Sequence, residues 1–327
     1  MIAAWYDRQG PAAEVLQVGE LPTPEAGPGE VRVRVALSGI NPGDTKKRSR
    51  WHGALMSFPR IIPHSDGAGV IDAVGEGVDV DRIGQRVWTY GAQSYRPFGT
   101  AAQFTCVPAL QAVPLPDEVP DEIGACLGIP GITAHRAVFS DGAVAGKTIL
   151  VQGVLGSVSS LAAQLANWAG ATVIGTVVRS GDLEKVDVTA VSHSVALDGT
   201  DPAAGILEHA PDGVDRIVEV GFSDNADLDA AVVANDAVIA AYASRAERPE
   251  IPFWPMLFAN VTLRLLGSDD FSADAKQQAG SDLTKAAADG ALKIPVAPAH
   301  PLAEIAAAHD HVDNGPRNGR VLLDIPS

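Results

Sequence analysis

Thr148-Ile149-Leu150-Val151-Gln152 is a short apolar run rich in branched side chains, the composition of a strand buried on both faces of a parallel sheet. Gly153-Val154-Leu155-Gly156-Ser157 interrupts it. From Val158 the apolar residues change period, with Leu161, Ala162, Leu165 and Ala169 following at helical spacing, and Gly170 stands where a helix-ending glycine is favoured. A second apolar run, Thr172 to Val178, follows. Strand, glycine turn, helix and strand in about thirty residues make a βαβ unit, and the amides at such a helix start are placed to hold a phosphate.

The glycine pattern is degraded. On the G-x-G-x-x-G template the chain places Val154, Gly156 and Ser159, so only the glycine that lets the backbone approach a pyrophosphate is kept; Gly153 can supply the turn. The end of the second strand is more informative. A site for NADH wants a carboxylate there for the ribose hydroxyls, whereas this chain has Thr176-Val177-Val178 followed by Arg179 and Ser180. A guanidinium and a hydroxyl suit a 2′-phosphate, so NADPH is the expected cofactor. The alternative is that Arg179 is a solvated loop residue and Asp182 or Glu184 serves the ribose.

The formal charge of −16 disfavours nucleic acid and anionic membranes as partners, since both select basic surfaces. Two cysteines, Cys106 and Cys126, are too few for a disulfide framework or a four-cysteine zinc loop, and both are expected to be buried thiols. The first residues lack a basic region followed by a long apolar core, and no apolar run reaches membrane length, so a soluble cytoplasmic protein is expected.

Along the chain, residues 1 to about 120 read as β-rich. Val31 to Val35 alternates with period two, and Gly67 to Gly75 and Arg86 to Tyr90 are further strands. Pro114 to Pro120 is a proline-rich acidic crossing. Beyond it, strands at 194–197, 216–221, 237–242 and 261–267 alternate with helical stretches, including Ala273 to Asp289, which implies an α/β doubly wound parallel sheet. Gly319 to Asp324 reads as a strand returning to the first part. The expected domains are 1–120 with 295–327, and 121–294.

Four stretches carry a family resemblance. They are Asn41-Pro42-Gly43-Asp44 with Arg48; His64-Ser65-Asp66-Gly67-Ala68-Gly69-Val70 leading to Val74-Gly75-Glu76-Gly77-Val78; Pro130-Gly131-Ile132-Thr133-Ala134; and the glycine turn with Ala163-Gln164-Leu165-Ala166. With this element order the chain resembles the medium-chain dehydrogenase/reductase superfamily, in its zinc-free quinone oxidoreductase (zeta-crystallin-like) branch. The resemblance implies a Rossmann cofactor domain inserted in a GroES-like β-rich catalytic domain. It also implies hydride transfer from NADPH to a quinone or to the β-carbon of an α,β-unsaturated carbonyl. Zinc-dependent relatives place a cysteine at Asn41 and a histidine at Ser65; an amide and a hydroxyl do not replace them around a tetrahedral metal, so no metal is expected. His64 is one residue out of register, and His309-x-His311 reads as a surface pair.

Asn41 is the candidate for a nicotinamide or substrate contact, with Asp44 in the same motif; the other possibility is that Asn41-Pro42 only forms a turn. Where many relatives have a tyrosine the chain has His52, which is either a proton donor to the reduced acceptor or an exposed loop residue, and Arg50 stands where a glycine is common. Tyr90 and Tyr95 either line the acceptor pocket or pack. On the cofactor side the resemblance carries Thr133 to the nicotinamide end and Gly156, Ser157 and Val158 to the pyrophosphate. Tyr242 and Gly267 end parallel strands, where open α/β sheets present ligand contacts. By analogy the segment at Leu266 and Gly267 lies at a sheet edge that pairs with a second subunit, giving a homodimer. Competing functions are a zinc-free alcohol or aldehyde reductase, and a catalytically weak NADPH-binding sensor or structural protein.

Overall fold

The computed structural model describes residues 1–316 and 318–327. It divides into two compact units, Met1–Pro130 with Ser272–Ser327, and Gly131–Phe271. In chain order the elements are β1 (Ile2–Trp5), α1 (Ala12–Val15), β2 (Gln17–Glu20), β3 (Glu30–Gly39), α2 (Pro42–Arg48), β4 (Asp66–Val74), β5 (Arg86–Thr89), β6 (Phe104–Pro108), β7 (Ala112–Pro114), α3 (Asp121–Gly124) and α4 (Ile129–Phe139). Then follow β8 (Thr148–Val151), α5 (Ser157–Trp168), β9 (Thr172–Val177), β10 (His193–Ala196), α6 (Pro202–Leu207), β11 (Val214–Glu219), α7 (Phe222–Val232) and β12 (Val233–Ala241). The chain ends with α8 (Phe253–Phe258), β13 (Thr262–Leu265), α9 (Ala273–Ala288), β14 (His300–Pro301), α10 (Ile305–Asn314) and β15 (Leu322–Asp324).

The first unit is built on β3. Its alternation buries Val31, Val33 and Val35, and the first two pack with Ile71, Val87 and Val107. Each such aliphatic side chain contributes about 2 kcal/mol when removed from water. The sheet runs β14-β15-β3-β4-β5-β7, with β6 also on β3, and the returning β15 pairs antiparallel with the end of β3. Residues 121–130 and 272–294 group with this unit. For α9 the reason is visible: Trp88 Nε1 donates to Thr284 Oγ1 at 3.0 Å, and Gly280 lies flush on Val113 and Trp88.

The second unit is a six-stranded, all-parallel sheet in the order β10-β9-β8-β11-β12-β13. The order runs outward in both directions from the central pair β8 and β11, so the winding reverses between their tips, where open sheets of this kind bind ligands. Leu150, Ile174, Ile217, Ile239, Phe222 and Val232 fill its core. Gly153 (φ 61°) and Gly170 (φ 85°) take left-handed conformations, at the turn into α5 and just past its end. The connection from β9 to β10 holds a 3-10 turn, Ser180–Lys185, in place of an α-helix, and lays Val186, Ala190 and Val191 inward without one.

The structure corrects one expectation in the first unit: His309 is not at the surface but fully buried. Arg48 Nε donates to His309 Nδ1 at 3.2 Å, the two histidines meet Nε2 to Nε2 at 2.9 Å, and His64 Nδ1 lies 2.9 Å from Ser38 Oγ. Ser38 Oγ meets Thr100 Oγ1 at 2.7 Å, and Thr100 donates to the Asp66 carbonyl at 2.6 Å. Arginine can only donate and a carbonyl can only accept, so every proton in between is placed: His309 carries its proton on Nε2 and His64 on Nδ1. Arg48 also pairs with Asp313 and donates to the Gly10 carbonyl.

Both rings are therefore neutral. Burial, and for His309 the nearby Arg48 charge, pushes His64 far below its ordinary value and His309 down to about 3. In the unfolded chain both would protonate below about pH 6.5. The unfolded state therefore binds the extra protons between that pH and about 3, and the pair lowers stability as pH falls through the window. Side-chain nitrogen NMR from pH 8 to 4.5 should show two imidazoles that do not titrate, one protonated on Nδ1 and one on Nε2; an imidazolium at either position would refute the assignment.

Candidate functional site

At the end of β3 the chain turns into α2, and Asn41 caps that helix. Its backbone N–H donates to Asp44 Oδ2 at 2.7 Å, so Asp44 closes a capping box and is buried for that reason. The Asn41 side chain faces inward. Its Nδ2 donates to Asp66 Oδ2 at 2.6 Å and its Oδ1 accepts from Arg320 Nη2 at 2.7 Å. Asp66 Oδ1 takes the Ile129 N–H at 2.8 Å, and Gly128 lies so close to that carboxyl that a Cβ there would collide with it. Burial lifts the Asp66 carboxyl to about 7 against the pull of those donors and of the Arg320 charge. Asn41 thus bridges a buried carboxyl and a buried guanidinium. Replacing it with alanine leaves both without that partner, and Asn41→Ala should lower unfolding stability by about 2–3 kcal/mol in urea titrations.

The remaining candidates of this unit are spread out. His52 lies in an exposed 3-10 turn after α2, with its ring centroid 3.7 Å from that of Trp51, while Lys46 Nζ sits 4.4 Å above the Trp51 ring. Arg50 (φ 62°) and His52 (φ 51°) both hold left-handed conformations. Lys47 Nζ donates to Gln93 Oε1 at 3.1 Å, which joins α2 to the turn carrying Tyr95. Tyr95 is 71% exposed, whereas Tyr90 is buried against Trp88 with its hydroxyl near the Leu110 carbonyl; burial pushes that phenol up to about 12.

In the second unit the β8–α5 turn gathers several of the cofactor candidates. Gly156 caps α5 with no side-chain cap, so the amides of Ser157 and Val158 in the first turn are left to an outside acceptor. A Cβ on Gly156 would meet its nearest neighbour, the Gly153 carbonyl, at 3.3 Å, leaving the outer side of the turn open. Ser159 is turned inward, its hydroxyl at 2.8 Å from both the Gln152 carbonyl and the Tyr242 hydroxyl. Tyr242 is thereby tied to the start of α5, and burial raises its phenol. The helix N-terminus, the bare glycine and the left-handed turn form a cradle that fits a pyrophosphate.

At the end of β9, Arg179 is exposed, while Ser180 is engaged: its N–H donates to Asp198 Oδ1 at 2.9 Å and its hydroxyl to Oδ2 at 3.4 Å. A carboxylate absent from the strand end in sequence is thus delivered from the loop after β10. Thr133 is buried in α4, and Gly267 is exposed just past β13. Residues not foreseen are Asp66 and Arg320 around Asn41, and Gln152, Glu219 and Asp229 beneath the glycine turn. For Glu219 a signal was present: an acidic residue at the end of the apolar run Arg216-Ile217-Val218.

Residues 27–117 match the alcohol dehydrogenase GroES-like domain. The quinone oxidoreductase of Mus musculus is 29% identical over 302 residues, spanning 90% of this chain and 88% of that protein. The crystal structure of a mycobacterial quinone oxidoreductase superimposes with a TM-score of 0.85 at 25% identity, over 99% of each chain. A mycobacterial structure in complex with NADPH gives 0.82 at 23% identity, also over 99% of each chain. Over about nine-tenths of its length the chain is thus similar to quinone oxidoreductases. The GroES-like match falls on the unit that holds Asn41, and the parallel sheet is the Rossmann-type part.

Proposed function

We propose that this protein is an NADPH-dependent reductase of quinones or α,β-unsaturated carbonyls that works without a catalytic zinc. The observation that carries the reading is the uncapped α5 N-terminus behind a glycine turn at the point where the sheet reverses. The mycobacterial relative bound to NADPH and the quinone oxidoreductases of similar sequence supply the cofactor and the reaction class. NADPH, when bound, is the hydride donor.

The chain's own residues divide the remaining tasks. The amides of Ser157 and Val158 bind the pyrophosphate, with Gly156 allowing close approach. Arg179 takes the 2′-phosphate, because the donors of Ser180 are spent on Asp198. Asn41 and Asp44 brace the end of β3, and the Asn41 amide is committed to Asp66 and Arg320, which leaves that position without the character of a metal ligand. His52 protonates the reduced acceptor. Its left-handed conformation costs about 1 kcal/mol, and such strain is commonly retained where a side chain must be presented.

Oxidation of NADPH followed with a simple quinone and an enone of similar size should show turnover on one or both, with NADH several-fold weaker. Arg179→Ala should weaken NADPH binding by about tenfold and leave NADH unchanged. His52→Ala should slow turnover with little change in NADPH binding. No turnover on any acceptor despite saturable NADPH binding would overturn the reductase reading, and an unchanged rate in His52→Ala would remove that residue from the chemistry.

The reading includes a cytoplasmic homodimer. Free, buried Cys106 and Cys126 suit a reducing compartment. Leu263 and Leu265 on the edge strand β13 are exposed, as are Phe253, Trp254 and Phe258 on α8, whose rings contact one another, and such apolar side chains are of the kind that subunits cover. Sedimentation equilibrium at micromolar concentration should give twice the chain mass; a monomer mass would refute the dimer.

A further inference from the structure

The tips of β9, β8 and β11 are joined by a buried chain of hydrogen bonds that runs from one ligand-facing turn to another. Gly153 N–H donates to Thr176 Oγ1 at 3.0 Å, Thr176 donates to Gln152 Oε1 at 2.6 Å, and Gln152 Nε2 donates to Asp229 Oδ1 at 2.9 Å. The Asp229 and Glu219 carboxyls lie close enough to act on each other. Glu219 Oε1 in turn accepts the Gly221 N–H, with Asn225 Nδ2 at 3.1 Å from Oε1 and 3.2 Å from Oε2. Gln152, Thr176, Glu219 and Asp229 have no exposed surface.

The direction of this chain is set at both ends by backbone N–H groups, which can only donate. Starting from Gly153, Thr176 must give its proton to Gln152 Oε1, so the Gln152 amide donates to Asp229. Starting from Gly221, Glu219 must accept. The two carboxyls then meet as acceptors, and Asp229 Oδ2 is buried with no other donor aimed at it among the described residues. Two ionised carboxylates in contact at a fully buried site are unfavourable; one proton between them turns the clash into a hydrogen bond. The proton belongs on Asp229, since Glu219 has three donors stabilising its charged form, Gly221, Asn225 and Val220, and Asp229 has one, Gln152.

We infer that Asp229 is a protonated positioning residue whose single proton, shared with Glu219, couples the glycine turn at Gly153 to the turn at Gly221 and so sets how tightly the dinucleotide is held. This rests on the NADPH reading of the same turn. Burial raises both carboxyls, Asp229 most, and a group whose folded value is raised supports the fold until pH climbs through that value. The coupling is therefore lost on the alkaline side. The other groups packed around the pair are neutral: Gln152, Thr176, Asn225 and the Tyr242 phenol, which bonds Ser159 and which burial keeps protonated. Asp224, also on α7, is solvent-facing and paired with Arg245.

Asp229→Asn keeps an acceptor for Gln152 and a donor for Glu219 but cannot lose a proton; Glu219→Gln likewise leaves one donor between the two side chains. Asp229→Leu breaks the chain. The full-length variants would be compared by NADPH dissociation constant and by thermal midpoint of the ligand-free protein from about pH 7 to 10, with infrared spectroscopy for the carbonyl stretch of a protonated carboxylic acid. Wild-type binding should weaken about tenfold along an alkaline limb that the ligand-free midpoint follows. Asp229→Asn and Glu219→Gln should keep neutral-pH affinity and lose that limb, Asp229→Leu should bind about tenfold more weakly at pH 7, and Asp229→Asn should lose the acid carbonyl component that persists above the Asp66 titration near 7. An Asp229→Asn protein as weak as Asp229→Leu, a pH profile identical to wild type, or no such acid component in the wild type would each overturn the inference. If NADPH does not bind but that acid component and the midpoint limb disappear in Asp229→Asn, the shared proton stands and the cofactor reading is what fails.

Discussion

A polar group sealed from water must find its partner inside the protein, and in both units of this chain that requirement is met by hydrogen-bond chains with a single direction. In the first unit the chain starts on Arg48, which can only donate, and ends on the Asp66 carbonyl. In the second it starts on the Gly153 amide and ends on a carboxylate that also receives the Gly221 amide. In the first the fixed ends dictate every proton between them; in the second they leave two acceptors meeting, with one proton to share.

The two chains spend ionisable residues in different ways. His64 and His309 are kept neutral so that each ring can donate at one nitrogen and accept at the other, a division that an imidazolium cannot make. Asp229 is kept neutral because two acceptors meet. Arg48 and Arg320 remain charged and are held by carboxylates, carbonyls or amides on several elements, so that residues far apart in sequence, such as Arg48 with Asp313 and Asn41 with Arg320, are bound to one another. Breaking any of these leaves a buried group unpaired, which costs more than the bond itself contributes.

Function and stability meet at Asn41. The motif that marks it as a candidate contact also makes it the cap of α2 and the bridge between Asp66 and Arg320. Its backbone and side chain are committed to holding the end of β3. His52 presents the opposite case: it is exposed, strained and loosely attached, as suits a residue presented outward rather than packed.

Most of the architecture was legible in the sequence because periodicity is a local property. Runs such as Thr148 to Val151 and Thr172 to Val177, the change to helical spacing after Gly156, and the alternation of Val31, Val33 and Val35 each declare their element within a few residues. What sequence left open was every partnership between residues distant along the chain. His309 looked like a surface residue because a helix reading gives spacing but not which face meets a neighbour, and only the packing of α10 beside α2 and the segment before β4 brings it to Arg48 and His64. Asp198 reaches Ser180 only because β10 lies beside β9, and Glu219 and Asp229 become one acid pair only because α7 folds back over β11. Local hydrophobic period, carried by the sequence, decided the elements; the demand that buried donors and acceptors be paired, which exists only once those elements pack, decided the sites.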